Sequence, residues 1–201
     1  MKGRPRKLSC EKVLYFATSN PAKVKEVEAI LHGYPLVVRQ VDAKGREIQS
    51  DSLQEIAEES ACRAAEETQL PVFVEDAGLF IDHLEGFPGP YASYVYRTIG
   101  VEGILVLMQN VPNRRAVFYS VVAFCVPGNK PQSFTGKVEG IITNSARGGG
   151  FGFDPIFEPK GGDNKTFGEM SLQEKNLCSH RTKAVRKLAE WYLVSDTHNT
   201  L

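Results

Sequence analysis

The stretch VLYFATSNPAKV, residues 13–24, predicts the fold class of this chain. Its first half, Val13–Thr18, is apolar and rich in β-forming residues, which is typical of a buried strand. The Ser-Asn-Pro sequence then breaks the strand. Apolar residues follow at helical spacing, at Val24, Val27, Ile30 and Leu31. A strand, a turn and an amphipathic helix in this order indicate a βα unit.

The same alternation returns farther along the chain. Leu36–Val41 predicts a second strand, and helical spacing of apolar and small residues predicts a helix over Leu53–Thr68. Pro71–Val74 is apolar throughout, as expected for a short strand that is covered on both faces. We expect this strand to end at two acids, Glu75 and Asp76.

The rest of the chain predicts antiparallel strands and further helices. Ala116–Val126 turns at PGNKP into Gln132–Ile142, which indicates a long hairpin. Helices with Pro and Gly breaks are expected between Tyr91 and Val111, and more helix follows the glycine-rich run GGGFGFDP. Together these elements predict an α/β fold with a two-lobed mixed sheet, flanking helices and a cleft between the lobes.

The composition excludes several classes of protein. Lys plus Arg number 24 and Asp plus Glu number 24, so the chain has no overall field that attracts nucleic acid. The four cysteines are scattered without a CxxC pair, which argues against a zinc or redox motif. No apolar run approaches the roughly 18 residues of a membrane span, and the N-terminus lacks a hydrophobic signal core. We therefore expect a cytoplasmic protein that binds neither membranes nor nucleic acid.

The first strand–helix junction is a candidate phosphate site. Backbone N–H groups and the positive end of a helix bind phosphate at such junctions. The chain has no GxxxxGK[ST] loop, however, and an ordinary Asn-Pro turn beside a solvated lysine explains the same sequence equally well. The candidate residues are Thr18, Ser19, Asn20 and Lys23.

The two acids after the third strand are candidates for a metal site. Ligands gather beyond the carboxyl ends of strands in α/β sheets, and carboxylates suit a hard cation such as Mg²⁺. Adjacent side chains on an extended segment point in opposite directions, so Glu75 and Asp76 are expected to differ in role. Glu47, in the polar stretch KGREIQSD, is the candidate second ligand beside Asp76. The alternative is that these acids cap turns and face solvent.

The run GGGFGFDPIF, Gly148–Phe157, is a candidate site for a base. Its glycines allow close approach of a ligand, and its aromatic rings can stack on a base. Phe151, Gly152 and Phe153 supply these features, although either phenylalanine is equally explained as core. Asp154 precedes a proline and is therefore expected to be extended, with its carboxylate beside the rings.

A group of donors occurs in KNLCSHR, Lys175–Arg181. Ser179 is expected to cap the following helix and to direct His180 and Arg181. The alternatives are a solvated helix face for Lys175 and Arg181 and a structural role for the histidine.

The segments TSNPAK, VEDAG, EGFPGPY, GGGFGFDPIF and EKNLCSHR, in this order, resemble the inosine triphosphate pyrophosphatase, or Ham1-like, family. The resemblance runs from Val13 to Leu193, which leaves residues 1–12 as an N-terminal extension and residues 194–201 as a polar tail. It implies one elongated domain, a homodimer and Mg²⁺ dependence. It also implies cleavage of noncanonical purine triphosphates (ITP, dITP, XTP) to the monophosphate and pyrophosphate, which cleanses the nucleotide pool.

The resemblance assigns roles by motif position. Thr18, Asn20 and Lys23 would bind the triphosphate. Glu47 and Asp76 would serve the metal, and Asp76 would also activate water. The family's base pocket and basic cluster correspond to Phe151, Phe153, Asp154, Lys175, His180 and Arg181.

The sequence departs from the family pattern at two positions. Ala77 replaces a hydroxyl residue of many relatives, and Ser60 replaces a phosphate-binding lysine of several, with Arg63 a weak substitute. Two other functions compete with the main interpretation. One is a pyrophosphatase for modified pyrimidine nucleotides, as in the related Maf family. The other is a non-catalytic nucleotide sensor or an RNA-binding module that uses the basic stretch Lys2–Lys7.

Overall fold

A computed structural model of the chain describes residues 12–43 and 48–195. The strands are β1 (Lys12–Ala17), β2 (Leu36–Val41), β3 (Val72–Ile81), β4 (Pro88–Gly89), β5 (Arg115–Cys125), β6 (Gln132–Ile142) and β7 (Phe157–Pro159). The α-helices are α1 (Pro21–Leu31), α2 (Leu53–Thr68), α3 (Ala92–Thr98), α4 (Gly100–Leu107), α5 (Leu172–Cys178) and α6 (His180–Val194). Short 3₁₀ helices cover Asp82–Leu84 and Asp154–Ile156.

The strands form one seven-stranded sheet in the order β2-β1-β3-β5-β6-β7, with β4 paired to β3. Strand β1 is parallel to β2 and to β3, and the remaining pairs are antiparallel. This arrangement confirms the predicted α/β class with a mixed sheet and flanking helices. The two lobes with a cleft between them stay a prediction.

Strand β3 is longer than the sequence suggested, and this places the two acids differently. The prediction that the strand ends before Glu75 is wrong, because β5 pairs with β3 over its whole length to Ile81. On the other side, β1 pairs only with Val72 and Phe73. Glu75 and Asp76 therefore lie within β3, just beyond the point at which its parallel neighbour stops.

Packing on the two faces of the sheet follows the alternation along β3 and β5. Phe73 and Val122 face α1 and α6, where the Phe73 and Phe16 rings stack with centroids 4.4 Å apart. Val72 and Val121 contribute to a different cluster under α2. A third cluster joins the far end of β3 to α3, α4, β6 and β7. The first cluster therefore holds α1 and α6 against one face of the sheet, and the second holds α2 against the other.

The termini of the chain lie mostly outside the described residues. Of the predicted extension, only Lys12 is described, and it begins β1. Of the predicted tail, Val194 ends α6 and Ser195 follows it. Within the described ranges, no helix combines the length and the apolar character needed to cross a membrane.

Candidate active site

A pocket of about 1320 Å³ brings the predicted site residues together. They enter it from the β1–α1 junction, the middle of β3, the loop before the 3₁₀ helix Asp154–Ile156, and the helices α5 and α6. The predicted residues that line it are Thr18, Ser19, Asn20, Lys23, Asp76, Phe151, Gly152, Phe153, Asp154, Lys175, His180 and Arg181. Glu47 lies outside the described residues. Ala43 and Ile48, the described residues nearest to it in sequence, both line this pocket.

The β1–α1 junction presents side chains rather than bare helix N–H groups. Asn20 caps α1, and its Oδ1 accepts from the N–H groups of Ala22 and Lys23 at 2.9 and 3.4 Å. Thr18 Oγ1 accepts from Asn20 N at 3.2 Å. Since the cap occupies those two N–H groups, the Lys23 ammonium and the Thr18 and Ser19 hydroxyls are the groups available to a phosphate here.

Glu75 is the centre of a buried charge network. Its Oε2 lies 3.1 Å from both Lys23 Nζ and Arg181 Nε, and its Oε1 accepts from Ser120 Oγ at 2.6 Å. Lys23 Nζ also donates to the Glu75 carbonyl at 2.6 Å. Burial by itself raises the pKa of Glu75, but Arg181, Lys23 and Ser120 outweigh it and hold that pKa well below its ordinary range. Glu75 is therefore an anion that fixes two cations at the pocket wall.

Glu26 extends the network to α5. It binds Arg181 Nη1 through Oε2, and its Oε1 accepts from Lys175 Nζ at 2.8 Å. Lys175 Nζ also donates to Asp154 Oδ2 at 2.7 Å. Burial raises the pKa of Glu26, but Arg181 and then Lys175 together lower it by more than burial raises it. The pKa of Glu26 is therefore below its ordinary value.

The alternative that Lys175 and Arg181 belong to a solvated helix face is therefore wrong. The two residues are only 5% and 2% exposed, because carboxylates from α1, β3 and the loop before β7 neutralise them inside the protein. Ser179 caps α6 as predicted, since its Oγ accepts from Thr182 N at 3.1 Å. This cap sets the start of the helix from which His180 and Arg181 project.

His180 is buried and stacked. Its ring lies 4.6 Å from the ring of Phe118, at an interplanar angle of 8°, and it also contacts Phe167. Its Nδ1 has no hydrogen-bond partner in the described part of the chain. Burial, and then the charge of Arg181, hold the pKa of His180 well below its ordinary value of 6.5. His180 is therefore neutral at physiological pH. It packs in the core, as the structural alternative predicted, and it also lines the pocket.

This burial predicts an acid-sensitive fold. Below pH 6.5 the unfolded chain protonates His180 and the folded chain does not, so acid favours unfolding. We expect the free energy of unfolding to fall by up to about 1.4 kcal/mol per pH unit between roughly pH 6.5 and 5. Urea unfolding of His180→Phe across this range should give a shallower dependence, whereas His83→Gln, at an exposed histidine, should keep the wild-type slope. Equal slopes in all three proteins would contradict the assignment.

The base-side residues differ from one another in exposure. Phe151 is 42% exposed, whereas Phe153 is buried and packs edge-on against Tyr96 with centroids 5.5 Å apart. Asp154 is not extended as predicted but begins a 3₁₀ helix, in which its Oδ2 accepts from Phe151 N at 3.1 Å. Burial raises the pKa of Asp154 in spite of Lys175. Phe151 is thus the ring open to a ligand, and Phe153 is part of the core beneath it.

Asp76 is half-buried and lines the pocket, in contrast to the fully buried side chain of Glu75. No group of three or more His, Cys, Asp or Glu side chains suited to a metal occurs within residues 12–43 and 48–195. Mg²⁺ is commonly held by one or two carboxylates together with substrate phosphates. Asp76 with Glu47 fits that sparse donor set.

Both departures from the family pattern line the pocket, as Ser60 and Ala77. Arg63 pairs with Glu59 Oε1 at 2.7 Å on the surface of α2, so it does not stand in for the lysine that is missing at Ser60. Among the residues that the structure describes, the cations that line the pocket are Lys23, Arg97, Lys175 and Arg181.

The sequence reasoning missed Glu26, Ser120 and the wall that α3 contributes. The sequence does contain an indication of the role of Glu26. This residue falls among the buried positions Val27, Ile30 and Leu31 of α1, and a charge on a buried helix face requires a partner. The sequence contains no such indication for Ser120, because its role depends on its position in β5, the strand next to that of Glu75. The pocket-lining residues near α3 include Tyr91, Tyr94, Tyr96 and Arg97.

Comparisons with known proteins identify the family to which the chain belongs. A family model described as the Ham1 family matches residues 14–191. A dITP/XTP pyrophosphatase of Methanopyrus kandleri is 53% identical over 178 residues, which cover 88% of this chain and 94% of that protein. A dITP/XTP pyrophosphatase of Thermococcus kodakarensis is 48% identical over 179 residues, which cover 89% and 96%.

Solved structures show the same fold. A HAM1 protein from Coxiella burnetii matches with a TM-score of 0.80 and 28% identity, over 92% of this chain and all of that one. The Ham1 protein of Staphylococcus aureus matches with a TM-score of 0.78 and 27% identity, over 90% of this chain and 98% of the other.

Proposed function

Because the chain belongs to the Ham1 family, we propose that it hydrolyses noncanonical purine nucleoside triphosphates, namely ITP, dITP and XTP, to the monophosphate and pyrophosphate. The observation that carries this proposal is the single pocket that contains Asp76, Lys23 and the buried Arg181. The names of the similar archaeal proteins support the substrate class. The product monophosphate would leave the triphosphate pool, so the reaction cleanses it.

Lys23 would bind the triphosphate and the pyrophosphate leaving group. An ammonium group has three donors, and Lys23 uses one of them for the Glu75 carbonyl, while the Glu75 carboxylate lies 3.1 Å away as an ion pair. The remaining donors would point to a phosphate, together with the Thr18 and Ser19 hydroxyls and the side-chain amide nitrogen of Asn20 at the start of α1. Glu75 holds the Lys23 ammonium in place before substrate arrives, so little reorganisation is needed when charge builds on the leaving group.

Asp76 would accept the proton of the water that attacks in line at the α-phosphorus. Asp76 and Glu47 would hold Mg²⁺, which when bound neutralises polyphosphate charge and orients water. Position supplies most of the catalysis in phosphoryl transfer, and strand pairing with Val121 fixes the backbone of Asp76. A carboxylate that holds a divalent metal would be kept in its ionised form, as a proton acceptor requires.

The base would lie against Phe151, beside Gly152, Asp154 and Arg181. Hypoxanthine and xanthine carry a 6-oxo acceptor, whereas adenine carries a 6-amino donor. Among the described residues, Arg181 Nη1 donates to Glu26 and Nε faces Glu75 at 3.1 Å as an ion pair, so Nη2 would be the group that donates to the 6-oxo group. Adenine would leave this buried donor unpaired, and such mismatches are discriminated by as much as about 10⁴-fold.

We expect pyrophosphate release from ITP, dITP and XTP and little from ATP or dTTP. GTP carries the same 6-oxo group, so its rejection would require a separate contact with the guanine 2-amino group. The test incubates the purified chain with each nucleotide and Mg²⁺ and separates the products by ion-exchange chromatography. Inosine monophosphate with pyrophosphate would support the proposal, and orthophosphate release would contradict it. Preferential hydrolysis of modified pyrimidine nucleotides would instead identify the Maf-like activity, and nucleotide binding without turnover would identify a sensor.

The assembly and the setting of the protein stay predictions from the sequence. These are a homodimer, a cytoplasmic location and the absence of nucleic-acid binding. Light scattering of the purified chain tests the first, with the mass of two chains as the expected result.

A further inference from the structure

Two cysteines that are far apart in sequence meet between α2 and β5. Cys62 and Cys125 are both free thiols, and their sulfur atoms lie 3.1 Å apart. Cys125 is buried, and its Sγ lies 3.3 Å from the Asn129 carbonyl oxygen, whereas Cys62 is only partly buried. Neither residue lines the substrate pocket. The mechanism proposed above therefore makes no use of this pair.

The close approach of the two sulfurs is built into the packing of α2. The helix faces the sheet with small residues, and Ala57, Ala61 and Ala65 are completely buried against β3 and β5. Small side chains bring a helix close to a sheet, so a cysteine one residue beyond Ala61 reaches the end of β5. A disulfide has a sulfur–sulfur bond of about 2.05 Å, so the two atoms need to approach by only about 1 Å, which side-chain rotation can supply.

We propose that Cys62 and Cys125 are a modification site at which an external disulfide converts the two thiols into a reversible intramolecular disulfide. The bond would join α2 covalently to β5. The side of α2 opposite Cys62 lines the pocket through Ile56, Ser60 and Ala64. The bond would therefore also hold the helix that forms one wall of the substrate pocket.

The chemistry requires a low-molecular-weight disulfide as the oxidant. The Cys62 thiolate attacks one sulfur of that disulfide and releases its other half as a thiolate. Cys125 then loses its proton and attacks Cys62 Sγ, which releases the second half. Two protein thiols are oxidised, one external disulfide is reduced to two thiols, and the two protons lost by the protein thiols are taken up by the released thiolates. Burial and the hydrogen bond to Cys62 raise the pKa of Cys125 to about 12, so the second step should accelerate with rising pH.

The expected consequence is a gain in stability. The new bond closes a loop of 125 − 62 + 1 = 64 residues. Loops of this size typically give stabilisation that corresponds to a rise in Tm of about 5 to 15 °C for a chain of this length. Since neither sulfur touches the pocket, kcat for ITP at moderate temperature should change by less than about twofold, as expected for residues remote from the reacting groups.

The test treats the full-length chain with oxidised glutathione and with a reductant. After oxidation we expect a mass lower by two hydrogen atoms, a protease fragment that links Cys62 to Cys125, and the higher Tm. All three changes should reverse with reductant. The absence of the linked fragment, or glutathione retained on Cys62 as the end product, would overturn the proposal. A linked chain with an unchanged Tm would overturn the stabilising role.

Matched variants separate this site from the other thiols. Cys62→Ser lies at a partly buried position and should abolish both the link and the oxidant-dependent rise in Tm, and Cys125→Ala should do the same. Cys178→Ser, at a thiol that hydrogen-bonds to the Glu174 and Lys175 carbonyl groups of its own helix, should retain both. A rise in Tm that persists in Cys62→Ser would contradict the assignment. None of these readouts depends on the substrate, so they stand apart from the proposed hydrolysis.

Discussion

Asp76→Asn is expected to lower kcat for ITP by about 10³-fold or more while leaving the fold intact. The amide keeps the size of the side chain but loses the charge that would bind Mg²⁺ and the basicity that would accept a proton from water. General acid–base catalysis alone is typically worth about 10² to 10⁴-fold. Stability should change little, because Asp76 is only half-buried and its backbone stays paired with Val121.

The measurement is kcat at saturating ITP and Mg²⁺, together with Tm, for wild type and variant. Asp82→Asn is the matched control. Asp82 lies just after β3, is exposed and pairs, among the described residues, with the exposed Arg115, a contact of small energetic value. It should retain the wild-type rate. A wild-type rate in Asp76→Asn would remove Asp76 from the mechanism, and a large fall in Tm would mean that its role is structural.

Arg181→Met is expected to reduce the free energy of unfolding by about 3 to 5 kcal/mol. The substitution leaves Glu26 and Glu75 buried with fewer cations, and removing one partner of a buried ion pair typically has a cost of this size. Lys175 and Lys23 would still compensate in part. Activity on ITP should also be lost, because the donor proposed for the 6-oxo group is gone.

Urea unfolding at pH 7 measures this effect. Arg186→Met, at an exposed position on the same helix, should stay within about 0.5 kcal/mol of wild type. Adding Glu75→Gln to Arg181→Met removes one uncompensated charge and should recover part of the stability without restoring activity. Arg181→Met with wild-type stability would contradict the buried network.

The pH dependence of the same comparison gives a second check. The pKa values of Glu75 and Glu26 are lowered in the folded chain, so their contribution is present above about pH 4.5 and is lost as the pH falls. The difference in stability between wild type and Arg181→Met should therefore shrink below about pH 4.5, where the carboxyls of the unfolded chain begin to protonate.

Much of the fold could be predicted from local pattern. The bounds of β2 and α2 match the predicted Leu36–Val41 and Leu53–Thr68 at both ends, because apolar spacing and flanking breaks define them within the segment itself. The length of β3 could not be predicted in this way. Its second half, from Glu75 to Ile81, includes acids and a glycine, and its ladder with β5 holds it extended. Tertiary pairing therefore overrides local preference there.

The sequence predicted which residues belong to the candidate site, but it did not predict the buried ion pairs that join them. Motif order was sufficient to select Lys175 and Arg181. Their burial depends on Glu26, which is 149 and 155 positions away from them in sequence, and on Glu75. Long-range ion pairs of this kind leave no trace in local spacing, and neither does the meeting of Cys62 with Cys125.

The central claim is that this pocket selects a 6-oxo purine triphosphate and cleaves it to the monophosphate. The most direct measurement is kcat/KM for pyrophosphate release from ITP and from ATP, with the same preparation and the same Mg²⁺ concentration. We predict a ratio of about 10² or more in favour of ITP, as expected when a buried donor is left unpaired by the competitor. Equal values for ITP and ATP would contradict the account.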